Sequence, residues 1–90
     1  MQREPKLTPA DQLAKMYPKT FRRPAKESLR SVQSGGMVKI CMSGERFWVR
    51  VTERRGSLFR GIVDNDLAVI KEYKLGDVIV FDINDIYSIY

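Results

Sequence analysis

Four aspartates and one cysteine are the residues of this chain best suited to catalysis. Asp64 and Asp66 form one closely spaced pair, Asp82 and Asp85 form another, and Cys41 is the single thiol. Paired carboxylates can perform acid–base chemistry, and a thiolate can act as a nucleophile. Both pairs lie in predicted turns, where aspartate commonly accepts hydrogen bonds from its own backbone. We therefore assign the carboxylates to turn structure.

The chain contains no histidine, the side chain that most often serves as a general base or a metal ligand. A cysteine nucleophile needs a neighbouring base, and a structural zinc site needs several Cys or His ligands. Gly35 and Gly36 lack the lysine and hydroxyl residue of a phosphate-binding loop. We predict a non-enzymatic protein with no catalytic residue, no metal site and no cofactor, in which Cys41 is a small structural side chain.

A set of arginines around the single tryptophan is the second chemically capable group. Tryptophan and arginine are the side chains that most often dominate protein–protein interfaces. Basic groups around an aromatic ring also suit single-stranded nucleic acid. We expect a partner protein as the ligand, with nucleic acid as the alternative. The candidate partner-binding residues are Arg46, Trp48, Arg50, Arg54, Arg55, Arg60 and Ile62.

A β-hairpin over residues 45–65 must position these side chains. Its first strand alternates apolar and polar residues, which is the pattern of a half-buried strand. The apolar positions are Phe47, Val49 and Val51, and the second strand covers about 57–63. We therefore expect the apolar side chains of both strands on one face and most of the arginines on the other.

The turn between the two strands sets their register. A two-residue turn would place Val51 opposite Arg60 and bring charge onto the apolar face. A three-residue loop over residues 54–56 pairs Val51 with Phe59 instead, and places a glycine where a left-handed conformation is needed. This register also sets Arg50 opposite Arg60, so we expect a carboxylate of the same chain or an external anion beside them.

Charge is distributed unevenly along the chain. Residues 1–60 hold fourteen Lys/Arg against five Asp/Glu, residues 61–90 hold two against six, and the formal net charge is +5. A basic front and an acidic tail can neutralise each other in the fold or leave two opposed patches. The acidic third and the modest total charge favour a protein partner over nucleic acid.

Two short helices precede the strands. The first begins at Pro9 and ends at Tyr17, with Leu13, Met16 and Tyr17 as its apolar stripe. We expect this stripe to cover the outer face of the hairpin or else to bind a partner, because a short helix alone is marginal in water. Residues 1–7 are expected to fray, and a second helical turn covers 25–30.

Five short strands are predicted after the first helix. They cover 37–42, the two hairpin strands, 78–81 and a last strand or 3₁₀ piece within 86–90. The 78–81 segment is apolar on both faces, which indicates a central strand of a closed sheet. Closely spaced strands after a helical N-terminus predict an α+β, mainly β fold with a five-stranded SH3-like or OB-like small barrel. We assign residues 1–23 to an N-terminal tail and helix and residues 24–90 to the barrel domain.

Cysteine usage and hydropathy favour a cytoplasmic protein. One cysteine cannot form an internal disulfide, which fits a reducing compartment. No apolar run is long enough to span a membrane, and the polar N-terminus lacks the apolar core of a signal peptide. An exposed edge strand, for which 37–42 is the candidate, leaves both a monomer and a homodimer open.

Several segments match the pattern of a known family. They are 37–39, 45–49, Gly61 with 64–65, 74–77, 78–81 and Ile86. From about Pro24 onward the chain resembles the YegJ-type domain of unknown function, a family of small bacterial and mobile-element proteins, and departs from it at Gly36 and Leu67. The resemblance implies a small β-barrel-like domain without a settled activity. Small single-domain chains without an enzyme signature are also typical of accessory or inhibitory factors that occlude a host protein.

Overall fold

A five-stranded antiparallel sheet, preceded by two short α-helices, forms the chain in the computed structural model, which describes residues 1–90. The α+β, mainly β prediction is confirmed at this level. The elements are α1 (Ala10–Met16), α2 (Lys26–Arg30), β1 (Met37–Met42), β2 (Glu45–Arg55), β3 (Leu58–Val63), β4 (Val78–Asp82), a 3₁₀ turn (Ile83–Asp85) and β5 (Ser88–Ile89). Neither helix has the length or the apolar character needed to cross a membrane.

The strand order is β4-β3-β2-β1-β5, and the sheet is open because β4 and β5 do not pair. The prediction of a central strand over 78–81 is therefore wrong. β4 is an edge strand whose Ile79 and Phe81 are buried, whereas Val78 is 55% exposed. The prediction of 37–42 as an exposed edge is also wrong, because β1 lies between β2 and β5.

The β2–β3 hairpin closes with a two-residue turn at 56–57, and not with the predicted three-residue loop. A β-bulge between Val51 and Glu53 takes up the extra residue inside the strand. Gly56 has a φ of +60°, the left-handed conformation for which a glycine was expected. The sequence thus located the glycine of the turn but placed the irregularity in the loop instead of in β2.

Both hairpin strands turn their predicted apolar residues into the core. Val51 pairs with Gly61, however, and not with Phe59. A Cβ atom at Gly61 would lie 2.7 Å from the carbonyl oxygen of Arg50, so the strands approach each other at a point that only glycine allows. The buried hairpin side chains are Phe47, Val49, Val51, Phe59 and Val63.

The main core lies on the inner face of the sheet and is closed by segments from both ends of the chain. α2 contributes Leu29 and the following turn contributes Val32, as the sequence predicts. Ile70 covers the core from the β3–β4 loop, and Ile86 covers it from the segment before β5. Each of these residues is at most 6% exposed, so short helices and loops complete a core that the open sheet cannot enclose alone.

Residues before α1 are attached to two strands and do not fray as expected. The Glu4 amide donates a hydrogen bond to the Val80 carbonyl of β4 at 2.9 Å. Leu7 forms an isolated bridge with Met42 of β1 and is 4% exposed. The N-terminal segment therefore spans from the β4 edge to the end of β1.

α1 lies against the outer face of the sheet, but only near one end of β1. Ala10 packs against Cys41, with Leu13 beside them. Met16 and Tyr17, which the sequence placed in the packing stripe, are 68% and 51% exposed. The helix is too short to present a full stripe, and it leaves the centre of the hairpin's outer face open.

Candidate partner-binding site

Cross-strand pairing gathers part of the predicted site on the outer face of the sheet. Trp48 of β2 lies beside Lys39 of β1. Arg50 lies between β1 and Ile62 of β3, and Ile62 in turn lies opposite Val78 of β4. Side chains of paired residues point to the same face, so these groups form one surface. We call it the Trp48 face, and its residues are Met37, Lys39, Trp48, Arg50, Ile62, Val78 and Tyr90.

Trp48 is half-buried and fixed in orientation by its neighbours. The Lys39 Nζ lies 4.7 Å from the centroid of the indole, in a cation–π arrangement. The Tyr90 ring meets the indole edge to face, with centroids 5.9 Å apart and an interplanar angle of 85°. The indole thus carries a cation and a phenol ring before any partner arrives.

The β3–β4 loop holds the backbone of Trp48. The Trp48 amide donates to Asn65 Oδ1 at 2.6 Å, and the Trp48 carbonyl accepts from the Asp64 amide at 2.9 Å. The loop is itself anchored by Glu45, whose carboxylate accepts the amides of Ala68, Val69 and Ile70 at 2.7, 2.8 and 3.0 Å. These hydrogen bonds, that of Ala68 first, hold the pKa of Glu45 below its ordinary value.

Arg50 is exposed and takes part in none of the four ion pairs of the chain. Its strand neighbour Ile62 is half-buried, and Val78 beyond it is 55% exposed. Lys39 likewise has no acidic partner. The Trp48 face therefore joins an uncovered apolar strip to two cations that the chain does not neutralise.

Arg54 is a structural residue and lies outside the Trp48 face. The bulge in β2 turns its side chain to the same side as Phe59, and the guanidinium lies 4.8 Å from that ring. Its Nε donates to the Gly56 carbonyl, and its Nη1 donates to the carbonyls of Arg30 and Val32, each at 2.8 Å. Arg54 thereby satisfies carbonyls at the end of α2 that the helix leaves without partners.

Arg55 and Arg60 share a single carboxylate. Glu53 accepts from Arg55 at 2.7 Å and from Arg60 at 2.8 Å. The predicted pairing of Arg50 with Arg60 is wrong, because the bulge sets Glu53 opposite Arg60. A carboxylate of the same chain, one of the two expected partners, thus compensates Arg60.

Arg46 lies at the end of the outer face that α1 and the following linker cover. Its guanidinium is 5.2 Å from the centroid of Phe21 and 4.8 Å from that of Tyr87. The Tyr87 hydroxyl donates to the Thr8 carbonyl at 3.0 Å, and burial raises the pKa of Tyr87 to about 12.

Of the seven predicted residues, the structure brings together Trp48, Arg50 and Ile62, and it gives Arg46, Arg54, Arg55 and Arg60 partners within the chain.

Four residues of the Trp48 face escaped the sequence prediction. Met37 and Lys39 follow from the alternation of β1 once β1 is paired with β2, so their signal was present in the sequence. Val78 required the knowledge that β4 pairs with β3. Tyr90 joins the surface through the pairing of β1 with the end of the chain, which no local pattern specifies.

The carboxylate pair at the 3₁₀ turn has the structural role that its sequence context predicts. Asp82 accepts the Asn84 amide at 2.9 Å, and Asp85 accepts the Asp82 amide at 2.8 Å. Asp85 is fully buried and also receives two hydrogen bonds from Arg3, at 2.8 and 2.7 Å. These contacts account for both carboxylates, and the chain contains no cluster of three side chains arranged to hold a metal ion.

Comparison with family models, curated proteins and solved structures gave no match to this chain. The resemblance to the YegJ-type domain gains no support from these comparisons and stays a prediction. The geometry of the Trp48 face and the charges around it therefore carry the functional proposal.

Proposed function

We propose that this chain is a non-enzymatic binding module that holds a partner protein on the Trp48 face. One observation carries the proposal: the centre of the outer sheet face is covered by neither helix and combines an indole, an apolar strip and two unneutralised cations. Interface centres are typically built from aromatic and arginine side chains beside apolar groups. Such a surface would suit an accessory or inhibitory factor of a mobile element that acts by occluding a host protein.

Charge complementarity indicates the chemistry of the partner surface. Arg50 borders the apolar strip formed by Ile62 and Val78, Lys39 lies farther across the face beside Trp48, and neither cation has an acidic partner in the chain. A partner with an apolar residue beside two carboxylates would cover the strip and neutralise both cations. Such pairing contributes chiefly to specificity and to the association rate.

The nucleic-acid alternative is less well supported than the protein partner. Nucleic-acid affinity grows with the number of cations that reach phosphate groups. Three of the arginines that made the hairpin basic are bonded inside the chain, and a fourth lies over two aromatic rings. The residues so occupied are Arg54, Arg55, Arg60 and Arg46.

We also infer an SH3-like arrangement in preference to an OB-like one. The strands follow one another as a meander, with the last strand joining β1 after a 3₁₀ turn. An OB-like barrel has a Greek-key order instead. The meander order and the position of the 3₁₀ turn support the SH3-like alternative, although the sheet is open.

The test is capture of partner protein by the wild-type chain and by Trp48→Ala combined with Arg50→Ala. We expect the double variant to lose about tenfold or more in affinity, as hot-spot residues do. Its fold should persist, because neither side chain belongs to the buried core. Arg30→Ala is the matched control, since Arg30 is also exposed and free of ion pairs and lies outside both proposed sites.

Two results would contradict the proposal. One is undiminished capture by the folded double variant, and the other is loss of the fold on Trp48→Ala, which would make the indole a core residue. Titration of Trp48 fluorescence with single-stranded DNA and RNA tests the alternative. Binding that weakens steeply with salt would replace the protein partner by nucleic acid.

A further inference from the structure

An open trough runs along the free edge of β5. It consists of two adjoining cavities, one of about 710 Å³ beside Ile89 and Tyr90 and one of about 470 Å³ beside Tyr87 and Ser88. Ser28 and Ile89 line both cavities, so the two cavities adjoin at these residues and form one trough. The trough follows β5 over its full length.

The walls of the trough differ in character from its floor. One wall is β5, and the other is formed by α2 and its flanking residues, 22–24 and 31–36. Exposed Ser28 and Gln33 make the second wall polar. Val32, at 6% exposure, forms an apolar floor. A polar wall facing a strand edge over an apolar floor suits a polypeptide whose side chains alternate in character.

The backbone of β5 offers unused hydrogen-bonding groups to this trough. The Tyr90 amide donates to the Met37 carbonyl at 2.9 Å, and Val38 pairs with Ile89. In an antiparallel ladder this pattern turns the amide and carbonyl of Ile89 away from β1, toward the trough. No strand lies on that side of β5.

The opposite edge of the sheet is already occupied. The Val80 carbonyl of β4 accepts the Glu4 amide of the N-terminal segment. Proteins commonly protect an edge strand by such a covering segment, and an edge left open is a site for strand addition. The two edges therefore differ, and β5 is the edge that remains available.

We propose that the trough binds an extended segment of a partner protein, which adds a strand beside β5. Main-chain hydrogen bonds to Ile89 provide the affinity, and a small apolar side chain of the segment rests on Val32. A second copy of the chain is a poor occupant, because β5 offers only Ser88–Ile89 to a symmetric pairing.

One charged residue in each cavity sets the direction of the segment. Arg22 lines the cavity beside Tyr87, Glu27 lines the cavity beside Tyr90, and both are exposed and free of ion pairs. The segment therefore carries an acidic side chain opposite Arg22 and a basic one opposite Glu27. This site is additional to the Trp48 face, with which it shares only the bordering residues Met37 and Tyr90.

Selection of random dodecapeptides displayed on phage, using the full chain as target, tests the proposal. Enriched peptides are synthesised and titrated into ¹⁵N-labelled protein. We expect alternating apolar residues between an acidic and a basic residue, with amide shifts confined to 22–38 and 87–90. The charge order is confirmed if Arg22→Glu combined with Glu27→Arg weakens binding and a peptide with its two charges exchanged restores it.

Ile89→Pro is the decisive variant. It removes the outward amide and leaves the Tyr90–Met37 hydrogen bond in place, so we expect binding to weaken about tenfold or more. Ile89→Val keeps the amide and should bind within about twofold of wild type. Trp48→Ala should also bind normally, which separates failure of this site from failure of the Trp48 face.

A second variant tests the site in case Ile89→Pro does not fold. Ser28→Phe fills the trough from α2 and leaves the β5 residues unchanged, and Lys26→Ala, at an α2 residue outside the trough lining, is its control. The proposal is overturned if no peptide is enriched, if the shifts map elsewhere, or if folded Ile89→Pro or Ser28→Phe binds as wild type. Self-association of the chain that Ile89→Pro abolishes would also overturn it, because the occupant would then be a second copy.

Discussion

Two neighbouring arginines of β2 have opposite roles, which shows how one backbone irregularity decides what a side chain does. Arg54 packs over Phe59 and closes the end of α2, whereas Arg55 lies in solvent with its side chain 71% exposed and paired to Glu53. Alternation alone would give Arg54 the same side as Thr52. The bulge reverses that parity and keeps Arg54 in the strand, whereas the sequence analysis placed it in the turn among the candidate partner-binding residues.

Replacement of Arg54 by lysine measures this difference at the residue scale. Lysine keeps the charge but loses the planar guanidinium whose Nε donates to the Gly56 carbonyl while its Nη1 donates to those of Arg30 and Val32. We expect Arg54→Lys to lower the free energy of unfolding by about 1–2 kcal/mol. Urea denaturation followed by circular dichroism gives the value.

Arg55→Lys is the matched control for that measurement. Its single exposed ion pair should make the change smaller than about 0.5 kcal/mol. Equal effects of the two substitutions would show that the guanidinium of Arg54 does not stabilise α2.

At the scale of elements, the long β3–β4 loop is held in place by one side chain from the start of β2. Glu45 receives three consecutive amides, and the same loop carries Asn65, which bonds the Trp48 backbone. The conformation of the Trp48 face is thereby linked to the ionised carboxylate of Glu45, which precedes Trp48 in β2. Turn residues in the sequence predicted a loop here, but nothing local specified its anchor.

This anchor should depend on pH in a defined direction. Because the pKa of Glu45 is lowered in the fold, its stabilising effect is complete above the ordinary glutamate pKa of about 4.3. The effect is lost as the pH falls through the lower pKa of the folded state. We expect the amide resonances of Ala68, Val69 and Ile70 to titrate together, with a midpoint below about 4.3.

Glu45→Gln provides the corresponding test at neutral pH. The amide side chain offers one acceptor oxygen without charge, so hydrogen exchange in the loop should accelerate and the Trp48 emission should shift. Glu27→Gln, which changes an exposed carboxylate without an ion pair, should leave both observables unchanged. Unaltered exchange in Glu45→Gln would mean that the loop is held by other contacts.

At the scale of the whole molecule, the N-terminal third is wrapped around the sheet by its basic residues. Arg3 donates two hydrogen bonds to the buried Asp85 carboxylate, and Arg23 donates to the carbonyls of Ile83 and Ile86 at the 3₁₀ turn. The hydrogen bond to Asp85 raises the pKa of Arg3 above its ordinary value. Part of the basic front predicted from the sequence thus neutralises the acidic tail inside the fold.

Removal of the Arg3 side chain should destabilise the molecule as a unit. Arg3→Ala leaves the fully buried Asp85 carboxylate without a cation, and we expect a loss of about 3 kcal/mol. Adding Asp85→Asn should recover part of that loss, since the buried charge is then absent. Thermal and urea unfolding of the two variants measure both effects.

Lys6→Ala is the control at this scale. Its ion pair with Glu72 is exposed, with side-chain exposures of 62% and 41%, so the substitution should cost less than about 0.5 kcal/mol. Comparable losses for Arg3→Ala and Lys6→Ala would show that the N-terminal segment contributes no more than a surface contact.

Local patterns predicted the parts of the molecule that local forces determine. The alternation of β2 placed Phe47 inside and Trp48 outside, and Leu29 was identified as a core residue of the second helix. The partners of Arg54 and the edge position of β4 depend on contacts between distant segments, which alternation does not encode. Three residues of the Trp48 face were accordingly identified from the sequence, and the other four required the strand pairing.

The bulge in β2 has a consequence for how the lineage of this protein can change in length. Thr52 is the surplus residue, and the pairs on both sides of it, Val51 with Gly61 and Glu53 with Arg60, would survive its deletion. Deletion of this codon is therefore neutral to the pairing of the hairpin, and after loss of a codon next to it Thr52 can take the vacated position, so that the pairs beyond it persist. Homologues that differ in hairpin length should differ here first.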